Sequence, residues 1–175
     1  LFVVMDRGYY RKEVFEAFGN MSFACMCPEN MPEFDDVWSK HHSEIKDQHK
    51  YFVPSEKVYG IKIDDIQVYG KSYKAFLYYD SKRAEEERET IHMKLGMLKE
   101  QAEARKKYTE KMRRTFAPWL IIEKLDVTDP KTGKKFTITE NNERIQTELD
   151  QAGFFLVVSD CDCTTEEMIV RARKR

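Results

Sequence analysis

The pattern of apolar and polar positions gives the chain two apolar ends and a mixed, more polar middle. Leu1–Met5 is an uninterrupted apolar run, as expected of a strand buried on both faces, and it stops at Asp6. Gly8 supplies a flexible turn, after which Val14, Phe15 and Phe18 fall on one face of a helix over Arg11–Phe18, stopped by Gly19 and Asn20. Ser22–Cys27 is a second short apolar strand closed by Pro28, so the opening stretch reads strand, helix, strand. Near the other end Phe154–Ser159 repeats the texture of the first strand. Thr164 and Glu167 then have capping-box spacing at the start of a helix over Cys163–Arg175.

Between these ends the texture changes. Pro28–Pro54 is rich in Pro, Asp, Lys and His and reads as a linker or partly helical excursion. Lys57–Tyr79 reads as paired strands, with Val68–Gly70 and Tyr73–Tyr79 flanking a turn at Lys71 and Ser72. Ser81–Arg114 has no Pro and one Gly, and apolar residues recur near a seven-residue spacing from Ala84 through Ile91, Leu95, Leu98 and Ala102 to Met112 and Phe116. That predicts one long helix over 81–114, on the order of 50 Å at 1.5 Å per residue, more an arm than a buried core element. Leu120–Val127 and Phe136–Thr139 flank Asp129, Pro130 and Gly133 as another hairpin. Glu140–Ala152 is a short helix with Ile145 and Leu149 inward, ended by Gly153.

The expected architecture is therefore α/β, with a core built from residues 1–30 and 153–175 and interrupted over 31–152 by an insertion of β-hairpins and the long helix. The strands Leu1–Met5, Ser22–Cys27 and Phe154–Ser159 are expected in one sheet, because all three are too apolar for half-exposed hairpins. Leu1 opens inside a strand, and the helix begun at Cys163 carries no stop signal, so the 175 residues read as a piece of a longer polypeptide.

Composition narrows the functional classes. Hydrophobic residues at 41% and aromatics at 13% are too rich for a disordered chain. Lys and Arg number 30 against 31 Asp and Glu, a net charge of −1, so no whole-molecule field draws the chain to nucleic acid or membrane, and any such partner must be met by a local patch. No apolar run approaches the roughly 20 residues that span a bilayer, which predicts no membrane association. Four Cys form two C-x-C pairs, Cys25/Cys27 and Cys161/Cys163, without a signal-peptide pattern, and this suits a reducing, intracellular compartment. One spacer residue is tighter than common zinc spacing, and both pairs adjoin apolar strands where Cys packs as a small hydrophobe. His41, His42 and His49 lack metal-ligand spacing and read as solvated loop residues.

The most suggestive chemical group is Asp6. A carboxylate at the carboxyl end of a buried strand, followed by a Gly turn, is held rigidly at a sheet edge, where metal-assisted phosphoryl chemistry often places its ligands. From the pattern alone, the simpler role is a cap on the turn and the following helix.

The stretch Phe2-Val3-Val4-Met5-Asp6-Arg7-Gly8-Tyr9-Tyr10 resembles the strand bearing the second catalytic Asp in the DDE transposases of bacterial insertion sequences, the insertion-sequence-four group. Tyr9 stands where Phe is usual. Tyr69-Gly70-Lys71-Ser72-Tyr73 and the passage from Tyr78 to Arg88 are similar to the family's strand-to-helix passage within its insertion. Ala152 to Ser159 looks like the strand returning to the catalytic core. The resemblance spans nearly the whole chain and is made specific by the order of its short motifs. It implies an RNase H-like catalytic core, a prokaryotic cytoplasmic, nucleoid-associated enzyme, a homodimer in the full-length form, and DNA as partner. It also implies a Mg²⁺ or Mn²⁺ centre with Asp6 as metal ligand and catalytic residue. The family's last carboxylate lies in a helix with the pattern Tyr, two residues, Arg, three residues, Glu. Matching Arg173 to that Arg puts Val170 at the Tyr position and the Glu two residues past Arg175, while the first catalytic Asp precedes Leu1. The piece alone is then expected to be inactive.

An enzyme of this kind must also hold DNA. Lys99–Arg114 carries seven bases against three acids, with Lys106, Lys107, Arg113 and Arg114 as candidate phosphate contacts. Arg173, in a second cluster with Arg171, Lys174 and Arg175, is a further candidate. The competing reading of the first cluster is a solvated helix face laced with i,i+4 pairs. A second class of function also stays open: a non-enzymatic binding module whose heptad-like helix oligomerises or docks a partner.

Overall fold

In the computed structural model, which describes residues 2–19 and 21–173, the opening stretch runs β1 (Phe2–Met5), a 3₁₀ turn (Arg7–Tyr9), α1 (Lys12–Ala17) and β2 (Ser22–Cys27). The predicted positions Leu1, Asn20, Lys174 and Arg175 lie outside the described residues. α2 (Pro32–Ile45), β3 (Phe52–Val53), β4 (Val58–Val68), β5 (Lys71–Tyr79) and α3 (Ser81–Glu103) follow. Then come α4 (Glu110–Phe116), β6 (Leu120–Lys124), β7 (Phe136–Glu140), α5 (Asn142–Gln151), β8 (Phe154–Ser159) and α6 (Thr165–Arg173). The chain is mixed α/β and divides into two compact units, one running to Ala84 and resuming at Gly153, the other Glu85–Ala152.

The first unit is a six-stranded sheet in the order β1-β2-β8-β5-β4-β3. β1 and β2 are parallel, with Met5 opposite Cys25; every other pairing is antiparallel. The three apolar strands share this sheet as expected, and β8 is flanked by β2 on one side and by β5 on the other. The physical reason is the apolar character of β8 on both faces. Phe154, Leu156 and Val158 pack on one side and Phe155 and Val157 on the other, so the strand needs neighbours at both edges and cover on both faces. α1 and α2 supply Phe15, Phe34, Val37 and Ile45 to the first face, and α6 supplies Met168, Ile169 and Ala172 to the second.

Local chemistry explains three further departures. The polar stretch after Pro28 forms α2, entered by Pro32 in its first turn. The β4–β5 turn falls at Tyr69 and Gly70, both at positive φ, two residues earlier than predicted. In β4 the register shifts between Ile63 and Ile66, so that Ile61, Ile63, Ile66 and Val68 all reach the same core despite the odd spacing.

The single long helix is also corrected. α3 stops at Glu103 and α4 starts at Glu110, whose N-cap Thr109 accepts a hydrogen bond from the Met112 amide at 3.0 Å. The break returns Met112 and Phe116 to the core that Leu95 and Ala102 of α3 form with Leu120, Phe136 and Ile145. β6 and β7 pair antiparallel in this second unit.

Candidate active site at one end of the sheet

Asp6 directly follows β1. Its backbone is extended, its carboxylate accepts a hydrogen bond from the Arg7 amide at 2.8 Å, and its carbonyl accepts from Tyr9 at 3.0 Å. The residue thus caps the 3₁₀ turn and is exposed. The turn-cap role is the one its described contacts display.

Strand register determines what else reaches this end. Cys27, Leu156 and Leu77 align across β2, β8 and β5, so the residues just beyond β2 and β5 emerge at the same end as Asp6. Glu29 comes from the β2 side and pairs with Arg7 at 2.9 Å and with Arg83 at 3.3 Å. Asp80 comes from the β5 side, where its Oδ1 accepts from the Arg83 amide at 3.1 Å and caps α3. Arg173, near the end of α6, donates to Asp80 Oδ2 at 3.0 Å and to the carboxylate and carbonyl of Glu56, each at 3.0 Å. Acids and guanidinium groups alternate around this end, so Glu29, Asp80 and Glu56 are already neutralised by arginines. Glu29 and Asp80 were not singled out in the sequence. The signal available for Asp80 was its position between the apolar β5 and the uninterrupted helical stretch from Ser81.

Among the described residues no group of three or more His, Cys, Asp or Glu side chains is arranged to hold a metal ion. The fit to a divalent cation is that of one hard-oxygen ligand, Asp6. The cysteine pairs do not converge: Cys25 and Cys27 are buried on one face of the sheet, while Cys161 and Cys163 are half-buried against the core of the other. His41 and His42 lie on α2, the former beside Glu44 at 3.3 Å and the latter stacked on Trp38 at 4.4 Å, so neither is a loop residue.

The candidate DNA contacts are spread over both units. Arg173 is held by its two carboxylates in the first. In the second, Lys106 and Lys107 lie in the α3–α4 connection and Arg114 on α4, all exposed, while Arg113 pairs with Glu110 at 2.9 Å. Among the described residues no helix is long and apolar enough to cross a membrane. No family model matches the sequence, and searches of curated proteins and of solved structures return no match.

Proposed function

We propose that the chain is a section of a DDE-type DNA transposase, with β1, α1, β2, β8 and α6 belonging to an RNase H-like core and Asp6 serving as one ligand of its Mg²⁺ or Mn²⁺ centre. The observation that carries the reading is Asp6 itself. It is an exposed carboxylate fixed by a backbone amide at the carboxyl end of the first of two parallel strands, within the stretch that resembles the family's catalytic strand. Hard oxygen ligands suit Mg²⁺ or Mn²⁺, and the bound ions supply charge stabilisation for in-line attack at a phosphodiester. Asp6 contributes the negative charge and the orientation. Asp6 is the one ligand of that centre that this reading assigns among the described residues.

The alternative binding module is less well supported. Leu95, Leu98 and Ala102, the residues that would form a coiled-coil seam on α3, are spent on the second unit's own core.

The test is Asp6→Asn in the complete reading frame. Asn keeps the shape and can still accept the Arg7 hydrogen bond but lacks the charge. Strand cleavage at the element's ends in Mg²⁺ is expected to fall by about 100-fold or more, the scale on which one lost electrostatic partner of a transition state is felt. DNA binding measured in EDTA is expected to stay unchanged. Cleavage at a near wild-type rate would leave Asp6 as a turn cap and end the catalytic assignment.

A further inference from the structure

The two C-x-C pairs have identical spacing in the sequence, and the fold treats them differently. Cys25 and Cys27 are buried, 0% and 2% exposed, and their thiols donate to the carbonyls of Asp6 and Pro28 at 3.9 and 3.6 Å. A thiol that donates its hydrogen is held in the neutral form. Cys161 and Cys163 lie in the segment between β8 and α6, and both are partly exposed. Here the polarity is reversed, because the Arg171 guanidinium donates to Cys161 Sγ at 3.6 Å. The same guanidinium lies over the Phe2 ring of β1 at 5.1 Å, which holds it beside the sulfur.

The backbone brings the two sulfurs to one side. Cys161 and Cys163 both pack against the core under α6, whereas Asp162 between them is exposed and pairs with Lys62. In extended chain, residues two apart share a side. Their Cα atoms are then at most about 7 Å apart, which borders the span a disulfide bridges. Each end of the segment is fixed. The Cys161 amide donates to Ser159 Oγ at 3.0 Å, and Thr164 and Glu167 exchange capping hydrogen bonds at 2.8 and 3.2 Å. A reaction between the two thiols therefore has a high effective concentration. The sulfurs are also unlike. Cys161 has a cation in contact to hold a thiolate. Burial pushes the Cys163 thiol up, with Arg171 and Lys62 opposing the shift and Cys161 and Glu167 adding to it. A metal ion between the sulfurs would face the Arg171 charge, so the arrangement favours thiol chemistry over metal capture.

We propose that Cys161 and Cys163 form a thiol–disulfide exchange site whose substrates are small disulfides of the glutathione class. The Cys161 thiolate attacks one sulfur of the reagent, the reagent's S–S bond breaks, and the departing thiolate takes up the proton that Cys161 gave up. The Cys163 thiolate then attacks the Cys161 sulfur of the mixed disulfide and expels the second small thiol, which takes the Cys163 proton. Two electrons and two protons pass from the pair to the reagent, leaving a Cys161–Cys163 disulfide and two small thiols. A bridge at the edge of the usual Cα span is strained, so an excess of reduced thiol reopens it. Arg171 is a positioning residue that steadies the first thiolate. The site is independent of Asp6 and of the transposase reading.

The experiment exposes the fully reduced chain to oxidised glutathione, in native buffer and in urea, followed by acid quench, alkylation and peptide mass mapping. In native buffer the peptide carrying Cys161 and Cys163 is expected to lose two hydrogens and keep no glutathione. It is expected to react at least about 10-fold faster than the peptide carrying Cys25 and Cys27. In urea the two pairs are expected to react within about threefold of each other, since their spacing is the same and only the fold distinguishes them. Cys163→Ser is expected to retain one glutathione on Cys161, because no second thiol resolves the mixed disulfide. Arg171→Gln is expected to slow the first step about threefold, since losing a neighbouring cation cuts the thiolate population more than it raises thiolate nucleophilicity. Arg171→Lys is expected to restore most of that rate, which a purely structural role for Arg171 would not predict. Excess reduced glutathione is expected to return both thiols. Equal rates for the two pairs in native buffer, two glutathiones retained on the wild-type peptide, no reaction, or a bond that reduced glutathione cannot reopen would each overturn the proposal. If the Arg171 variants melt early, the comparison of the two pairs in the wild-type chain decides the matter without them. Asp6→Asn must react as the wild type does, whether or not it cleaves DNA.

Discussion

Cys27 closes β2 with 2% of its surface exposed, and its thiol is pushed up from 9.0 to about 12, first by burial and further by the negative field of Glu33. A thiol that is harder to ionise when folded than when unfolded favours the folded state fully at pH values below about 9. That contribution drains away as the pH rises towards 12. Tyr10 beside it is shifted in the same direction, again chiefly by burial. Cys27→Ala is accordingly expected to be less stable than wild type at pH 7.5, with the gap narrowing by about 2 kcal/mol at pH 10.5, an order-of-magnitude figure at 1.36 kcal/mol per pKa unit. Urea unfolding under reductant at the two pH values checks this, and a gap that does not change with pH would contradict it. What the sequence revealed at this scale was local. Asp6 could be placed at a strand end from its immediate neighbours. Pairings such as Arg83 with Glu29 and Arg173 with Asp80 join residues far apart in the chain and depend on a strand order that no local pattern encodes.

Elements were legible where periodicity was followed and less so where composition was read in its place. The apolar strands β1, β2 and β8 stand out because apolarity on both faces is rare outside a covered sheet. α2 was obscured by its charged residues, although Phe34, Val37 and Ile45 keep one side of it apolar and Pro32 marks its first turn. The break after α3 is the opposite case. No Gly or Pro announces it, and it arises because the second unit's core takes Met112 and Phe116 from a chain that has turned back, with Thr109 to cap the new start. Thr109→Ala removes that cap and is expected to cost about 1 kcal/mol, with Thr109→Ser retaining most of the stability. Urea denaturation of the two variants measures the difference, and equal loss in both would show that the hydroxyl is not what holds the start of α4.

Over the whole molecule, each unit has a core of its own, and the passages of chain that leave and re-enter the first unit lie against one another. The Gly153 carbonyl accepts from the Asp80 amide at 2.9 Å, and a Cβ built on Gly153, at φ +83°, would come within 2.4 Å of the Ala84 Cβ. Such closeness requires glycine, which makes Gly153 more than a helix stop. It also means that a linker of a few Gly and Ser residues can replace 85–152 without stretching any strand of the sheet, since loop closure over so short a gap costs little entropy. The shortened chain is expected to keep a cooperative thermal transition and the buried environment of Tyr78 and Phe155. A molten, non-cooperative product would show that the first core depends on the second. In genetic terms, a segment whose ends touch can be gained or lost in one in-frame event. On that expectation, forms with and without residues 85–152 share the sheet that leads into Asp6.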